Sequence, residues 1–340
     1  MDEPQSADWR VYPFELVPGD PQLSFPAAEA NHPDCESDTW FLAAELTGDS
    51  GRRYAFLTIF NKNRPAQSIV ADFYTFALFD LDAGTYGTYT DYDMPPTNMQ
   101  PDTSPKMSLA DDRLEITYDS DAGTSVWRPC RDEGNRLVPY TYDVVLVGTD
   151  RTGDTMRVDL HVTPSRAPVP LGAAAYNGKI ECFGQADTYS YFQTGMAMTG
   201  TLSWGSVEES VTGTAGHVDR QWFPLIANGG GTDGDVRARS HEWRTINLDN
   251  GVDLSVTADD ECVEVRIADR GPGLSVEQLE SAGTPFLRWV GVEQDDQRRA
   301  GLGLGLYITR ALAEREGGSL RLTARDGGGL VATLSLPIAR

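Results

Sequence analysis

Apolar and polar residues alternate with a period of two over much of the first three quarters of the chain. Five segments show this most clearly, and they are rich in β-branched and aromatic residues: Tyr54–Phe60, Phe73–Phe79, Arg113–Tyr118, Tyr142–Val147 and Met156–Val162. Half-buried antiparallel strands have this period, and Gly, Asp, Asn and Pro clusters between the segments favour turns. Residues 1–256 show no helical stripe, so the pattern predicts a mainly β barrel or sandwich.

The pattern changes after residue 256. The chain then predicts, in order, a strand, a short helical turn, a helix and a hairpin: Cys262–Ile267, Val276–Leu279, Leu304–Glu316, and Ser319–Thr323 with Leu330–Leu336. On the predicted helix, Leu304, Ala311, Ile308 and Leu312 share one face. This is an α+β pattern, and it places a boundary near residue 256.

Charge limits the partners that the chain can have. Its 340 residues include 51 acidic and 28 basic residues, which give a formal net charge of −23. Only three of the basic residues are lysines, a balance that resembles the surfaces of salt-adapted proteins and is equally typical of a general acidic bias toward solubility. A chain this acidic is not expected to bind nucleic acid or an anionic membrane as its main partner.

The termini and cysteines point to a cytoplasmic protein. The first twenty residues have neither a basic segment nor an apolar core, so they do not predict a signal peptide. No run approaches the roughly 18 apolar residues of a transmembrane helix. The four cysteines, Cys35, Cys130, Cys182 and Cys262, lack paired or metal-like spacing. They predict free thiols in a reducing compartment and no metal site.

Two glycine-rich loops carry candidate chemistry near the end of the chain. Asp269-Arg-Gly-Pro-Gly-Leu274 directly follows a predicted strand, and Gly301-Leu-Gly-Leu-Gly-Leu306 opens the predicted helix. Alternate glycines let backbone amides approach a polyphosphate closely, and a helix N-terminus adds favourable partial charge. An acidic side chain at a strand end can accept a hydrogen bond from an adenine amino group.

The order of these loops, with the helix and hairpin after them, resembles the C-terminal half of a histidine-kinase ATPase domain over residues 257–340. The resemblance implies that Asp269 contacts adenine, that Gly271 and Gly273 shape its pocket, and that Gly301, Gly303 and Gly305 form the ATP-lid loop. Thr284–Phe286 resembles the family's phenylalanine-containing box.

Two parts of that family's machinery do not appear in the sequence. The family has an asparagine-bearing helix before the first glycine box, which helps to hold magnesium, but here only a strand hairpin is predicted upstream of Asp269. ATP with magnesium is therefore a weakened cofactor prediction. Ser240–Thr245 is similar to a phosphoacceptor box, yet only 27 residues separate His241 from Asp269. The alternation of Trp243–Leu248 favours a strand there.

The most specific motif of the β-rich part is Gly213-Thr-Ala-Gly-His-Val-Asp-Arg-Gln-Trp-Phe-Pro224, followed by the segment His241–Gly251. Together they resemble the carotenoid 1,2-hydratase/AttH-like family over residues 10–256. The resemblance implies two lipocalin-like barrels and action on hydrophobic small molecules. It also implies a catalytic group of Asp219, Trp222 and Asp249, with Asp249 as the proton donor, since a carboxyl in an apolar pocket can protonate an alkene.

Departures from that motif shift the expected chemistry. Arg220 stands where the family has a histidine, and arginine does not deprotonate in proteins. Asn247 stands where the hydratases have a tyrosine. A related isomerase, cyclase or binding role is therefore favoured over carotenoid hydration itself. The structural alternative is that Asp219, Arg220 and Asp249 form a salt-bridge cluster that caps a barrel.

These observations predict three modules: a lipocalin-like domain at 1–175, a partial second one at 176–256, and a partial ATP-binding domain at 257–340. The leading hypothesis is a hydratase, isomerase, cyclase or binding protein for a terpenoid, carotenoid or polyketide-like molecule. Two alternatives remain. One is a sensor histidine kinase with a β-rich ligand-sensing region, and the other is a non-catalytic hybrid of two truncated domains.

Overall fold

The computed structural model describes thirteen stretches of the chain: residues 8–35, 37–64, 72–93, 106–170, 179–182, 185–223, 242–247, 253–258, 262–269, 272–284, 287, 305–324 and 329–337. Contacts divide the chain into two compact units, Met1–Val236 and Arg237–Arg340. Among the described residues, no helix is both long enough and apolar enough to cross a membrane.

The first unit is built from strands, with two short 3-10 helices at Pro21–Leu23 and Ala27–Glu29. Its described strands are β1 Phe14–Glu15, β2 Ser24–Phe25, β3 Ser37–Gly48, β4 Arg53–Asn63, β5 Asp72–Asp80, β6 Thr85–Asp93, β7 Met107–Leu109, β8 Ile116–Ser120, β9 Gly123–Arg131, β10 Leu137–Thr149, β11 Thr155–Thr163, β12 Val169–Pro170, β13 Lys179–Cys182, β14 Gln185–Trp204 and β15 Val207–Phe223.

Thirteen of these strands form one antiparallel sheet. Eleven follow the order β6-β5-β4-β3-β15-β14-β11-β10-β9-β8-β7, while β12 and β13 pair with β14. The sheet curls until its two ends meet: the Tyr118 hydroxyl in β8 donates to the Asp91 carbonyl in β6 at 3.2 Å. Closer to the middle, the Tyr74 hydroxyl in β5 donates to the Val147 carbonyl in β10 at 3.1 Å.

Curling gives the sheet an inner face that is filled with large apolar side chains. Along β3 and β11 nearly every second residue is buried and its neighbours are more exposed, as period-two patterning requires. The largest fully buried side chains are Trp40, Trp127, Trp222, Arg220, Tyr54, Tyr74, Tyr118, Tyr140, Tyr142, Tyr191, Phe25 and Phe56. The arginine is the exception in this core.

The second unit contains five described strands, β16 Glu242–Asn247, β17 Asp253–Ala258, β18 Cys262–Ala268, β19 Ser319–Ala324 and β20 Leu330–Pro337. They form an antiparallel sheet in the order β16-β17-β18-β20-β19. The described part of this unit also contains two α-helices, α1 Val276–Ser281 and α2 Gly305–Arg315. Ser275 caps the start of α1 with a capping box, because its hydroxyl accepts a hydrogen bond from Gln278 N and the Gln278 side chain accepts one from Ser275 N.

The predicted fold class, mainly β and barrel-like with a small α+β end, is confirmed. Four of the five predicted strands match β4, β5, β10 and β11, while the fifth, β8, begins three residues later than the pattern indicated. The predicted module boundaries at 175 and 256 stay predictions. In the structure, β14 and β15 belong to the first sheet, and β16 and β17 pair with β18 in the second.

Candidate functional site

Strand β15 carries residues Gly213–Phe223 of the motif across the middle of the first sheet and presents different chemistry on its two faces. Asp219 lies opposite Phe41 of β3 and Phe192 of β14, whereas Arg220 lies opposite Trp40 and Tyr191. Successive side chains of a strand point to opposite faces. Asp219 is therefore on the outer face of the curled sheet, and Arg220 and Trp222 are on the inner face.

On the outer face, Asp219 is a buried acid among rings. Asp219 is only 7% exposed. Its Oδ1 accepts no hydrogen bond from the described residues. Burial raises the pKa of this carboxyl to about 7, although Arg220 and its backbone amide act in the other direction. Near neutral pH, a large fraction of Asp219 is thus protonated and able to donate a proton.

His217 shares this face. Its ring stacks on Phe192 at a centroid distance of 5.7 Å and meets the edge of Phe41 at 6.3 Å. Burial lowers the pKa of His217 to about 3, so the imidazole stays neutral. The outer-face site, which we define as Asp219, His217, Phe41 and Phe192, therefore combines a neutral-tending acid, a neutral imidazole and two aromatic rings.

On the inner face, Arg220 is fully buried, and its guanidinium contacts both a carboxylate and an aromatic ring. It donates from Nη1 to Asp38 Oδ1 at 2.7 Å, and its guanidinium lies 3.9 Å from the Trp40 ring centroid. Burial alone would raise the pKa of Asp38, but Arg220 and the hydrogen bonds with His32 hold it below its ordinary value. The salt-bridge alternative expected an ion pair of Arg220 with Asp219 and Asp249. Arg220 is in a buried ion pair, but its partner is Asp38 and not Asp219.

Trp222 belongs to the same inner face. It stacks on His32 at 4.3 Å and 5° and on Tyr189 at 5.4 Å and 7°, which makes a stack of three rings. The structure therefore does not bring Trp222 and Asp219 together. Asp249, the third residue of the predicted group, lies outside the described residues.

Sequence reasoning missed Glu29, a second buried acid whose pKa is raised. It ends the 3-10 helix Ala27–Glu29 and is 2% exposed. The Tyr12 hydroxyl donates to Glu29 Oε2 at 3.1 Å, and Tyr142 donates to its other oxygen. Burial raises the pKa of Glu29 to about 7, against the opposing effect of these hydroxyls and of Arg220. The one signal in the sequence is an acid flanked by alanines, Ala27-Ala-Glu-Ala30.

In the second unit, the structure places Asp269 and Gly273 beside the start of β20. Asp269 N donates to Leu330 O at 2.9 Å, and Leu330 N donates to Asp269 Oδ1 at 3.1 Å. Gly273 has a φ of +75°, and a Cβ there would lie 2.9 Å from Gly329 O. Gly305 is the first residue of α2. Gly271, Gly301, Gly303, His241 and Phe286 lie outside the described residues.

Comparison with known proteins places this geometry in a family. The family model described as AttH-like matches residues 16–258, a span that contains the whole sheet of the first unit. The chain belongs to the AttH-like family. Two solved structures are similar to this AttH-like chain, both at low identity. A protein assigned as AttH from Nitrosomonas europaea is 15% identical, with a TM-score of 0.49 and coverage of 95% of this chain and 98% of that one.

The second solved structure is kievitone hydratase from Nectria haematococca. It is 12% identical, with a TM-score of 0.44 and coverage of 71% of this chain and 67% of that one.

The end of the AttH-like chain matches a different family model. The model for histidine kinase-, DNA gyrase B- and HSP90-like ATPases covers residues 230–340. Histidine protein kinase DivJ of Caulobacter vibrioides is 39% identical over 90 residues, which are 26% of this chain and 15% of DivJ. The two resemblances seen in the sequence are thereby confirmed, and the chain spans only a small part of the kinase it matches.

Proposed function

We propose that the AttH-like unit transfers protons to and from an apolar, unsaturated small molecule, with Asp219 as the proton donor. The observation that carries this proposal is the Asp219 carboxyl. It is buried, its Oδ1 has no hydrogen-bond donor among the described residues, and its pKa is raised to about 7. Such a group can hold a proton at neutral pH and release it to a substrate.

The surroundings of Asp219 favour a carbocation-like intermediate. Phe41 and Phe192 are its cross-strand neighbours on the outer face, and aromatic faces attract cations. His217 remains neutral, so this ring adds no positive charge to the outer-face site. Terpenoid, carotenoid and polyketide-like molecules have the apolar character and the double bonds that this chemistry needs.

The proton balance closes for each reaction in this class. In hydration, the Asp219 proton bonds to one alkene carbon through the π electrons, and the other carbon becomes electron-deficient. A water oxygen then bonds to that carbon, and its surplus proton returns to the Asp219 carboxylate. In isomerisation the carboxylate instead removes a proton from a neighbouring carbon. In cyclisation the π electrons of a second double bond form a carbon–carbon bond to the electron-deficient carbon, and the new cation then loses a proton to the Asp219 carboxylate.

The two other predicted catalytic residues, Asp249 and Trp222, have different roles in this proposal. Asp249 remains a proposed second carboxyl. Trp222 lies on the inner face, so in our proposal it acts by packing β15 in place through its stack with His32 and Tyr189. The net charge of −23 supports a neutral or apolar small molecule over nucleic acid as the partner, and a cytoplasmic location remains part of the proposal.

The test is a turnover screen with Asp219→Asn, which keeps the shape of the side chain but removes its acid. Wild-type protein is incubated with unsaturated terpenoids and polyketides in deuterated water, and products are analysed for added water or incorporated deuterium. We expect turnover to fall at least about a hundredfold in Asp219→Asn. Binding of the same molecule, followed by tryptophan fluorescence, should be retained.

Glu208→Gln is the matched control, because Glu208 is an exposed acid on the same strand. It should leave turnover unchanged. Undiminished turnover in Asp219→Asn would refute the role of Asp219, and a wild-type protein that neither binds nor converts any compound would refute the substrate class.

A second proposal concerns the ATPase-like unit, which we propose binds adenine nucleotides weakly and without magnesium dependence. The described residues fit the purine end of such a site. Asp269 is an acid fixed at a strand end by Leu330 N, beside a backbone segment where Gly273 has no room for a side chain. Asp269 would accept a hydrogen bond from the adenine amino group. ATP, when bound, supplies a transferable phosphoryl group.

Calorimetry tests this second proposal and separates it from the sensor-kinase alternative. We expect similar, weak binding of ADP with and without magnesium, and loss of that binding in Asp269→Asn but not in Glu314→Gln, an exposed acid on α2. Micromolar, magnesium-dependent ATP binding would favour the sensor kinase instead. Absence of binding to any adenine nucleotide would favour the non-catalytic hybrid.

A further inference from the structure

Three side chains with metal-binding groups meet on the outer face of the first sheet. They come from three neighbouring strands: Cys130 from β9, Asp143 from β10 and His161 from β11. Asp143 lies directly opposite His161 in the register of β10 and β11. Cys130 is adjacent in the β9–β10 pair, where Tyr142 lies opposite Pro129. The even-numbered neighbours Tyr142, Leu160 and Val162 are buried on the inner face.

The three candidate ligand atoms are close enough to share one ion. Cys130 Sγ is 3.5 Å from Asp143 Oδ1 and 3.8 Å from His161 Nδ1, and His161 Nδ1 is 3.1 Å from Asp143 Oδ1. A tetrahedral zinc ion with its usual bond lengths to sulfur, nitrogen and oxygen holds such atoms roughly 3.3 to 3.6 Å apart. The observed separations depart from this range by only a few tenths of an ångström.

We propose that Cys130 Sγ, Asp143 Oδ1 and His161 Nδ1 form a binding site for a zinc-like transition-metal ion. Water completes the coordination, because the site opens to solvent: the His161 and Asp143 side chains are 49% and 42% exposed. A thiolate and an imidazole select borderline or soft ions such as Zn²⁺ and Co²⁺ over Mg²⁺ and Ca²⁺. Three protein ligands and one open position are typical of reactive rather than purely structural zinc sites.

The geometry argues against the other chemistry that these residue types suggest, a cysteine nucleophile activated by histidine. In that arrangement the base uses one ring nitrogen for the nucleophile and the other for the orienting carboxylate. Here the thiol and the carboxylate both face Nδ1 of His161. Convergence of three groups on one point is what an ion requires.

Arg128 sets a limit on the affinity of this site. Its Nη2 lies 3.7 Å from Asp143 Oδ2, on the carboxylate oxygen that does not face Cys130 and His161. Arg128 also lies directly opposite Asp143 in the register of β9 and β10, so its guanidinium is close to this carboxylate. Its positive charge also repels a cation, so we expect weaker binding than at a site with four protein ligands.

The spacing of these residues explains why the sequence did not indicate a metal site. Cys130 and Asp143 are 13 residues apart, and Asp143 and His161 are 18 apart. Zinc motifs that can be read from sequence place two ligands within a few residues of each other. Here only the pairing of β9, β10 and β11 brings the ligands together.

Cobalt titration of the full-length chain, without a histidine tag, tests the site. Bound Co²⁺ should give a thiolate-to-cobalt charge-transfer band that saturates at one equivalent and is removed by Zn²⁺. Cys130→Ser should abolish the band, while Asp143→Asn and His161→Gln should weaken binding at least about tenfold. Circular dichroism shows whether each variant is folded, and all three positions are partly or largely exposed, so folding should be retained.

Two matched controls make the result specific. Cys35→Ser removes the other described free thiol, and Asp159→Asn removes an exposed carboxylate from the same face of β11. Both should bind cobalt as the wild type does. The proposal is overturned if the wild type gives no charge-transfer band, if the band survives in Cys130→Ser, or if the controls lose it equally.

Discussion

At the scale of single residues, Glu29 should make the free energy of unfolding depend on pH. Its folded pKa of about 7 lies above its ordinary value of 4.5. Between these values the folded protein keeps a proton that the unfolded chain has lost. The free energy of unfolding therefore falls as pH rises from about 4.5 to about 7, by up to about 3 kcal/mol from this residue, and stays low above that.

Glu29→Gln should remove this fall, because a glutamine has no charge to bury. We expect the stability of the variant relative to wild type to improve by about 1–3 kcal/mol between pH 5 and pH 8, measured by urea unfolding with tryptophan fluorescence. Asp219 contributes a fall of the same sign, so the variant keeps part of the pH dependence. Glu133→Gln, in an exposed turn, is the control. Parallel curves for Glu29→Gln and wild type would contradict the prediction.

Gly273 and Gly305 give a second prediction at this scale, because both belong to the glycine boxes but have different surroundings. At Gly273, φ is +75° and a Cβ would sit 2.9 Å from Gly329 O, whereas at Gly305 an added Cβ meets nothing within 4 Å. Gly273→Ala should destabilise the second unit by about 1–3 kcal/mol. Gly305→Ala should be neutral or slightly stabilising, since alanine favours helix.

Hydrogen exchange at the Asp269 and Leu330 amides reports on this region directly, because these amides bond across the junction of the first glycine box with β20. Faster exchange is expected in Gly273→Ala only. Equal protection in both variants would mean that the close approach of Gly273 to Gly329 has no energetic importance.

At the scale of elements, the pairing of β11 with β14 depends on one glycine. A Cβ on Gly200 would lie 1.9 Å from the Asp159 carbonyl oxygen of the neighbouring strand. Gly200→Ala must therefore push the two strands apart, and we expect a loss of about 3 kcal/mol or more in denaturant unfolding. Thr201→Ala, at the next and exposed position, should cost far less. A fully stable Gly200→Ala would show that the two strands pack less closely at this point.

The elements were largely predictable from the sequence, whereas their partners were not. Period-two alternation located β4, β5, β10 and β11 because much of each strand alternates between buried and more exposed residues. Along β15, residues 216–220 are buried on both faces, so alternation could not tell which side Asp219 faces. The motif pointed to the right strand, but only the register with β3 and β14 separates Asp219 from Trp222.

The helix α2 shows the same limit. Its bounds agree closely with the prediction, yet Ile308 and Leu312 of the predicted apolar face are 48% and 47% exposed, while Ala313 is buried. Periodicity identifies an apolar stripe but not the element that covers it. Ile246 of β16 and Ile267 of β18 lie in one cross-strand row, each opposite Leu254 of β17, and they are likewise 44% and 41% exposed. Apolar side chains of both this sheet and α2 are thus exposed among the described residues.

At the scale of the whole molecule, the sequence identified two families along one chain, but it left several functions possible. The AttH-like and ATPase-like matches overlap over residues 230–258, close to the predicted boundary near residue 256. No sequence motif indicated Glu29 or the cluster of Cys130, Asp143 and His161, because their chemistry comes from contacts between distant segments. Buried acids and shared ligand atoms are properties of the folded chain rather than of any short stretch.

Net charge gives the last prediction, and it concerns the chain as a single charged body. With 51 acidic and 28 basic residues, like charges repel throughout the folded protein, and this repulsion is relieved when the chain expands. Raising NaCl from about 10 mM to about 1 M shortens the Debye length from about 30 Å to about 3 Å and so screens that repulsion. The thermal unfolding midpoint should therefore rise with salt, steeply at first and then levelling off.

Screening depends on ionic strength alone, so NaCl and KCl should give superimposable curves. A midpoint that is constant or falls with salt would show instead that the described ion pairs, such as Lys62 with Asp72 and Arg220 with Asp38, outweigh the net repulsion.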